Sequence, residues 1–391
     1  MTTDTTTARE IGSAARRELA DRITNPHEPV DPAWRAAVAA VPRELFIDDA
    51  YFRHDATGYG YTPVRRDELN PEDWLRTVHS DRTLVTQVDG HHAADATGPV
   101  QGVPTSSSTQ PSLVVRMLQT VRIKPGDRVL EIGTGTGYST ALLCHRLGQE
   151  NVTSVEYDPA VAARAARHLT AAGYPAPHLA TGDGLRGHPA DAEYDAVVAT
   201  CAIRSLPPSW LFQLRDGGTI TATLGGWLGA FALLHLTVDD TGTAHGRLVD
   251  VGESISYMSA RPHQPPPHPT FHRHPGHTRP ADIGPDLLKE PVGHLVAQLG
   301  APSAVLMRCS DGTVILWDVA TGSQAWLEPD GSGWTVHEDG PLRLWSQVEE
   351  AWARWLGAGK PDHTGFGVTA TTERQVVWLG SPDGPHWDLP C

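Results

Sequence analysis

The chain has 391 residues, with 31 Lys and Arg against 46 Asp and Glu, a formal net charge of −15. That balance, with no dense basic stripe, argues against a nucleic-acid partner. A composition of 39% hydrophobic and 20% charged residues fits a soluble globular protein of two or three domains, and no run of about 18 apolar residues offers a membrane span. Cys144, Cys201, Cys309 and Cys391 are too widely spaced for a disulfide framework or a ligand set. No metal and a reducing cytoplasm are the expectations.

Residues 1–7 are Thr-rich and lack the apolar core of a signal peptide, so they read as a disordered tail. Residues 8–22 and 32–41 read as helices, the second leading into V-P-R-E-L-F at 41–46. The polar stretch 58–99 reads as an insertion with a helix at 71–77 and a strand at 83–88. Its His91-His92 pair has no ligand partner at a helical spacing and reads as a surface loop. T-S-S-S-T-Q-P at 105–111 reads as a linker or cap before a helix at 111–118, with Thr109 or Gln110 near the cap. Several hydroxyls at a helix N-terminus suit a carboxylate ligand.

Residues 128–157 organise the rest. Val129, Leu130 and Ile132 form an apolar strand, Gly133, Gly135 and Gly137 follow as G-x-G-x-G, 138–147 reads as a helix, and 152–155 is a second strand ending on Glu156. This is a βαβ unit with a glycine turn, and an acid at the second strand's tip can hold a ribose diol. Tyr138 stands where a dinucleotide motif needs glycine, and Glu131 lies two residues before the first glycine. Strands at 179–180 and 194–200, a T-G-D-G turn at 181–184, a helix at 207–214 and a strand after Gly217-Gly218 predict a doubly wound, mostly parallel α/β sheet. A closing hairpin spans 231–238 and 244–251. Ligands bind such sheets at the strands' carboxyl ends, where Gly133, Glu156, Asp183 and Thr200 fall.

Residues 261–280 are rich in Pro and His and read as a solvated linker with weak metal affinity at most. Residues 285–391 read as a small α+β domain: a helix at 287–299, strands at 304–308 and 313–318 around Ser310-Asp311-Gly312, further strands at 325–327 and 334–337, a helix at 344–356, and strands at 365–371 and 375–379. Its many tryptophans suit a core, or in part a peptide-binding face.

The motif E-I-G-T-G-T-G-Y at 131–138 resembles the first motif of class I methyltransferases that use S-adenosylmethionine. Taken with V-P-R-E-L-F at 41–46, T-Q-P at 109–111, G-D-G at 182–184, V-V-A-T at 197–200 and Q-L-x-x-G-G at 213–218, the chain resembles the protein-L-isoaspartate O-methyltransferase family over about 32–251. The resemblance implies a Rossmann-like fold, S-adenosylmethionine as cofactor with S-adenosylhomocysteine as product, and a peptide carboxylate as acceptor. It places Glu131, Gly133, Thr134, Gly135, Gly137, Tyr138, Glu156, Tyr157, Asp183, Gly184 and Thr200 at the cofactor, and Ser107, Ser108 and Thr109 at the carboxylate. The implied division is an N-terminal tail and helix (1–30), a methyltransferase domain (31–258), a linker (259–284) and a C-terminal domain (285–391) that offers a peptide-recognition surface.

The chain departs from the family pattern in Thr109, where serine is usual, in the stretch 58–99, and in the C-terminal domain. It resembles in this the variants that act beside the ligases and synthetases of ribosomal peptide natural products, such as graspetides and lanthipeptides. The expected activity is then methylation of an aspartate in a macrocyclised precursor peptide, the ester closing to aspartimide. Repair of isoaspartyl proteins is the alternative, and a non-catalytic peptide-binding scaffold is a third.

Overall fold

The computed structural model describes residues 2–25, 28–55, 60–249, 256–267, 270–273 and 276–390. The chain divides into two compact units, residues 1–200 with 213–215, and residues 201–212 with 216–391.

The first unit opens on a helix, Thr2–Arg22, where a tail was expected. The helix expected over 8–22 begins at Thr2; Met1 lies outside the described residues. A second helix, Pro32–Ala40, carries Pro at its start, and Asp31 caps it by accepting from Ala33 N at 2.8 Å. A short 3-10 turn, Arg43–Phe46, follows.

The stretch around 58–99 is a built module. Its antiparallel sheet runs His91–His92, Leu84–Val88, Ala50–His54, Gly60–Arg65, Val100–Gln101, and Pro104–Ser108 pairs with Leu84–Val88 from the other direction. Phe52, Tyr61, Val88 and Ala93 share one cluster, and Trp74 and Leu75 of helix Pro71–Val78 share another with Ile47 and Leu84. The serine stretch is therefore a strand, neither linker nor cap. His92 is buried as well, contrary to the surface-loop reading, with Nε2 3.5 Å from Asp48.

The parallel core of this unit is the strand series Tyr194–Ile203, Val129–Ile132, Val152–Glu156, His178–Thr181, with Ala196 opposite Val129, Val129 opposite Val152, and Thr153 opposite His178. All four residues of Val129–Ile132 are buried, as a central parallel strand requires. Helices Tyr138–Leu147 and Pro159–Ala171 make the crossovers, the latter capped by Asp158 on Ala160 N at 2.8 Å. This brings the strands' carboxyl ends to one edge, which carries the site.

In the second unit, Phe231–Val238 and Ala244–Leu248 form the expected hairpin; residues 250–255 lie outside those described. Phe366–Ala370 pairs with Ala244–Leu248, and Gln375–Leu379 and His386–Asp388 continue that sheet. The last strands thus belong with the hairpin, and the C-terminal part is not a separate sheet from 285 onward. A five-stranded sheet, ordered His277–Pro280, Gly333–Asp339, Gln324–Asp330, Val314–Asp318, Ala304–Arg308, stands apart. Part of the Pro/His-rich stretch is therefore an edge strand; residues 268–269 and 274–275 lie outside those described. Trp317, Trp326, Trp345, Trp355 and Trp378 are buried, so most of the C-terminal tryptophans build core. Among the described residues no helix is long and apolar enough to cross a membrane.

Candidate active site

The glycine loop needs its glycines. Gly133, Gly135 and Gly137 have φ of +96°, +56° and +91°, a region that costs side-chain-bearing residues energy. A Cβ on Gly133 would lie 2.8 Å from Thr200 Oγ1, and one on Gly184 2.4 Å from Ile132 Cγ2. Thr200 fixes the loop's entry by donating to Gly133 O at 2.6 Å.

Glu156 lies at the tip of the next strand, accepting from Gly135 N at 2.8 Å and Asp158 N at 3.0 Å. Burial raises its pKa, and the amide bonds from Asp158 and Gly135 oppose that rise. Asp183 Oδ1 accepts from Leu185 N at 3.0 Å and so sets the turn at Gly184. Tyr157, half exposed at 50%, stands beside this edge. A close-approaching backbone, an acid beside it and a third turn thus meet at the same edge.

Three residues expected at the cofactor turn inward instead. Glu131 is fully buried, and its carboxylate accepts from Ser139 Oγ at 2.5 Å, Thr140 Oγ1 at 2.5 Å and Ser154 Oγ at 2.7 Å. Burial raises its pKa while those hydroxyls oppose the rise. Thr134 Oγ1 shares a 2.6 Å bond with Ser154. Tyr138 is buried beneath the Arg43 guanidinium, 5.7 Å from ring centre to Cζ, and edge-on to Phe46; burial pushes its hydroxyl up to about 12. These groups brace the loop from behind, because a short loop leaving a central strand has neighbours on every side but one.

The serine stretch lies against this loop: a Cβ on Gly135 would be 3.7 Å from Ser107 O. Strand alternation turns Ser106 and Ser108 inward and leaves Ser107 and Thr109 half-buried. Ser108 Oγ accepts from Arg43 Nε at 3.1 Å, which takes it away from the substrate position expected for it. Ser107 Oγ and Thr109 Oγ1 make no hydrogen bond among the described residues, and they do not cap the following helix. Asp81 does so, accepting from Ser112 N at 2.9 Å, while Thr83 Oγ1 accepts from Gln110 N at 3.0 Å.

Sequence reasoning missed the residue that shapes this loop. Arg43 is fully buried and donates to the carbonyls of Val78 and Ser80 (2.8 Å each), Arg82 (2.8 Å), Ser108 (3.0 Å) and Thr109 (3.2 Å). Burial lowers its pKa to about 10, which leaves it charged at neutral pH. A planar fork of donors suits this task as no other side chain does. The available signal was an arginine inside the apolar V-P-R-E-L-F segment. A second missed link joins the module to the glycine loop: His168 Nδ1 donates to Thr136 O at 3.0 Å, and its Nε2 lies 2.7 Å from Asp48 Oδ1. Arg164 adds a 2.7 Å bond to Asp48, whose carboxyl is held well below the usual range, chiefly by the His168 hydrogen bond.

The doubly wound sheet, the glycine loop and the acid at the next strand tip define a class I methyltransferase that uses S-adenosylmethionine. The family model described as protein-L-isoaspartate(D-aspartate) O-methyltransferase matches residues 62–227, which takes in most of the stretch read as an insertion. Similar proteins include the protein-L-isoaspartate O-methyltransferases of Opitutus terrae (33% identical, 47% of this chain and 72% of that one) and Methanoculleus marisnigri (42%, 49% and 68%). A solved structure described as a protein-L-isoaspartate O-methyltransferase matches 94% of this chain and 100% of its own, with a TM-score of 0.53 at 20% identity. The chain belongs to the protein-L-isoaspartate O-methyltransferase family and is an S-adenosylmethionine-dependent protein carboxyl O-methyltransferase.

Proposed function

We propose that the chain esterifies an aspartyl-type carboxylate of a peptide held by Ser107 and Thr109, with the L-isoaspartyl residue as first substrate class. The observation that carries this reading is the pair of uncommitted hydroxyls on a rigid strand end beside the glycine loop. S-adenosylmethionine, when bound, supplies an electrophilic methyl group. A carboxylate with a pKa of about 4 is already ionised at neutral pH, so the chain needs no general base. Its own residues must place one carboxylate oxygen in line and exclude water. Ser107 and Thr109 orient the acceptor by donating to its other oxygen. Arg43 leaves its donors on main-chain carbonyls and the Ser108 hydroxyl, so it sets the loop's shape without pairing with the acceptor and lowering its nucleophilicity. Glu156 holds the ribose, and Asp183 and Gly184 flank the adenine.

The second reading is an aspartate side chain in a macrocyclised ribosomal precursor peptide. One observation favours it: threonine at 109, where serine is usual in the family. There the next backbone nitrogen attacks the ester carbonyl, the nitrogen gives up its proton, and methanol leaves to yield aspartimide. The C-terminal unit no longer speaks for this reading, since a solved structure of the same description matches nearly the whole chain. Mass spectrometry of an isoaspartyl peptide and a macrocyclised precursor, each incubated with S-adenosylmethionine, separates the two. Methyl gain on neither, with cofactor bound, contradicts both and leaves the scaffold.

A further inference from the structure

At the opposite edge of the same strands, three ligand-type side chains converge. His178 opens strand His178–Thr181 and Thr153 lies at the start of Val152–Glu156, away from the ends that carry Gly133, Glu156 and Asp183. His178 Nδ1 contacts Asp191 Oδ2, and His188 Nε2 lies 3.5 Å from that same oxygen. All three ligand atoms lie within 4.8 Å of one another. The two imidazoles meet edge to face with centroids 4.7 Å apart. His188 Nε2 is buried and makes no hydrogen bond among the described residues.

We propose that His178, His188 and Asp191 bind one divalent transition-metal ion, with zinc as the ion this set favours. Two imidazoles and a carboxylate suit zinc, whereas calcium and magnesium need more oxygens. Ligands on a tetrahedral ion with bonds of about 2.0–2.1 Å sit about 3.3 Å from one another. The His188–Asp191 separation, 3.5 Å, is close to that value. The His178 side chain is 50% exposed and can swing to open its closer contact, leaving a fourth position for water.

Two of the ligands are held before an ion arrives. The His188 N–H donates to Gln213 Oε1 at 2.7 Å, and its carbonyl accepts from Tyr194 Oη at 2.8 Å. Asp191 Oδ2 accepts from Thr153 Oγ1 at 3.1 Å, the kind of outer contact that orients a metal ligand. The ion would clip the start of a strand to the turn at 188–191. The intervening segment carries Asp183 and Gly184, so the ion would stiffen the cofactor edge from behind. Because the unfolded chain does not hold these groups together, the ion stabilises the folded chain.

The test uses the full chain, purified without an affinity tag and stripped with chelator. Zinc is titrated by calorimetry, cobalt(II) by visible absorption, and thermal unfolding is followed with and without zinc. The expected result is one tight ion per chain, an intense tetrahedral cobalt spectrum and a rise in Tm. His178→Ala, at a half-exposed position, should weaken zinc binding on the order of tenfold or more and abolish the Tm rise, with the metal-free fold and S-adenosylmethionine affinity unchanged. Asp191→Asn serves as the second variant. The histidines of 261–280 are a rival source of weak binding, and binding that persists unchanged in both variants assigns the ion to them and overturns the proposal. Absence of a tight ion in the parent chain also overturns it.

Discussion

The glycine loop and the acceptor strand lie side by side yet are built in different ways. The loop comes from one continuous stretch, 128–157, which supplies its glycines, its positive φ angles and its acid. The acceptor strand, Pro104–Ser108, takes its shape from a guanidinium 65 residues away and its register from Leu84–Val88. A local element fails when its own residues change, and a distributed one fails when a remote brace is lost.

That difference is sharpest at Arg43. Arg43→Ala strands five carbonyls and the Ser108 hydroxyl in a buried site, and each unmet buried group costs about 1–3 kcal/mol before relaxation. Denaturant unfolding should show a loss on the order of 4 kcal/mol. Arg43→Lys keeps the charge but not the fork, and should depress peptide turnover more than cofactor affinity. Equal losses in both would make the loop and the strand one element and break the comparison.

Next is Gly133→Ala, which puts a Cβ 2.8 Å from Thr200 Oγ1 at a φ of +96°. S-adenosylmethionine affinity by calorimetry should fall at least about tenfold, roughly 1.4 kcal/mol, while the acceptor strand stays folded. Ser107→Ala and Thr109→Val should each lower kcat/KM for the peptide about tenfold, with cofactor affinity unchanged. A change confined to cofactor affinity would remove these hydroxyls from the acceptor site.

A separate expected effect concerns pH. Burial lowers the pKa of His92 to about 4, below its ordinary 6.5. A histidine neutral when folded takes up its proton more readily when unfolded. Stability is therefore lost as pH falls from 6.5 toward 4, by at most about 3 kcal/mol. Asp48, with its depressed pKa, adds a loss of the same sign at still lower pH. His92→Gln should flatten the stability profile across that window while leaving the acid limb below it.

What could be read from the sequence follows the same division. The βαβ unit, its glycines, Glu156 and the alternation of strands and helices were legible because each is set by neighbours within about 20 residues. The direction of Glu131, Thr134 and Tyr138 was not, since a motif gives spacing but not which side of a short loop is enclosed. The serine stretch was misread as linker or cap because its strand character depends on pairing with Leu84–Val88. The actual cap is Asp81, 31 residues from the amide it binds. In the second unit the hairpin at 231–248 and the 304–318 strands were local and clear. The pairing of Phe366–Ala370 with Ala244–Leu248 crosses more than a hundred residues and left no mark in periodicity.

The central claim is that Ser107 and Thr109 present a peptide carboxylate to the cofactor edge. Its most direct test is methyl transfer from S-adenosylmethionine to an isoaspartyl peptide, its normal aspartyl isomer and a macrocyclised precursor, compared in the parent chain and in a Ser107→Ala/Thr109→Val variant. The predicted result is a base-labile methyl ester on the isoaspartyl peptide or the precursor, largely lost in the variant, with cofactor affinity equal in both proteins. Undiminished methylation by the variant, or no acceptor at all despite bound cofactor, would contradict it.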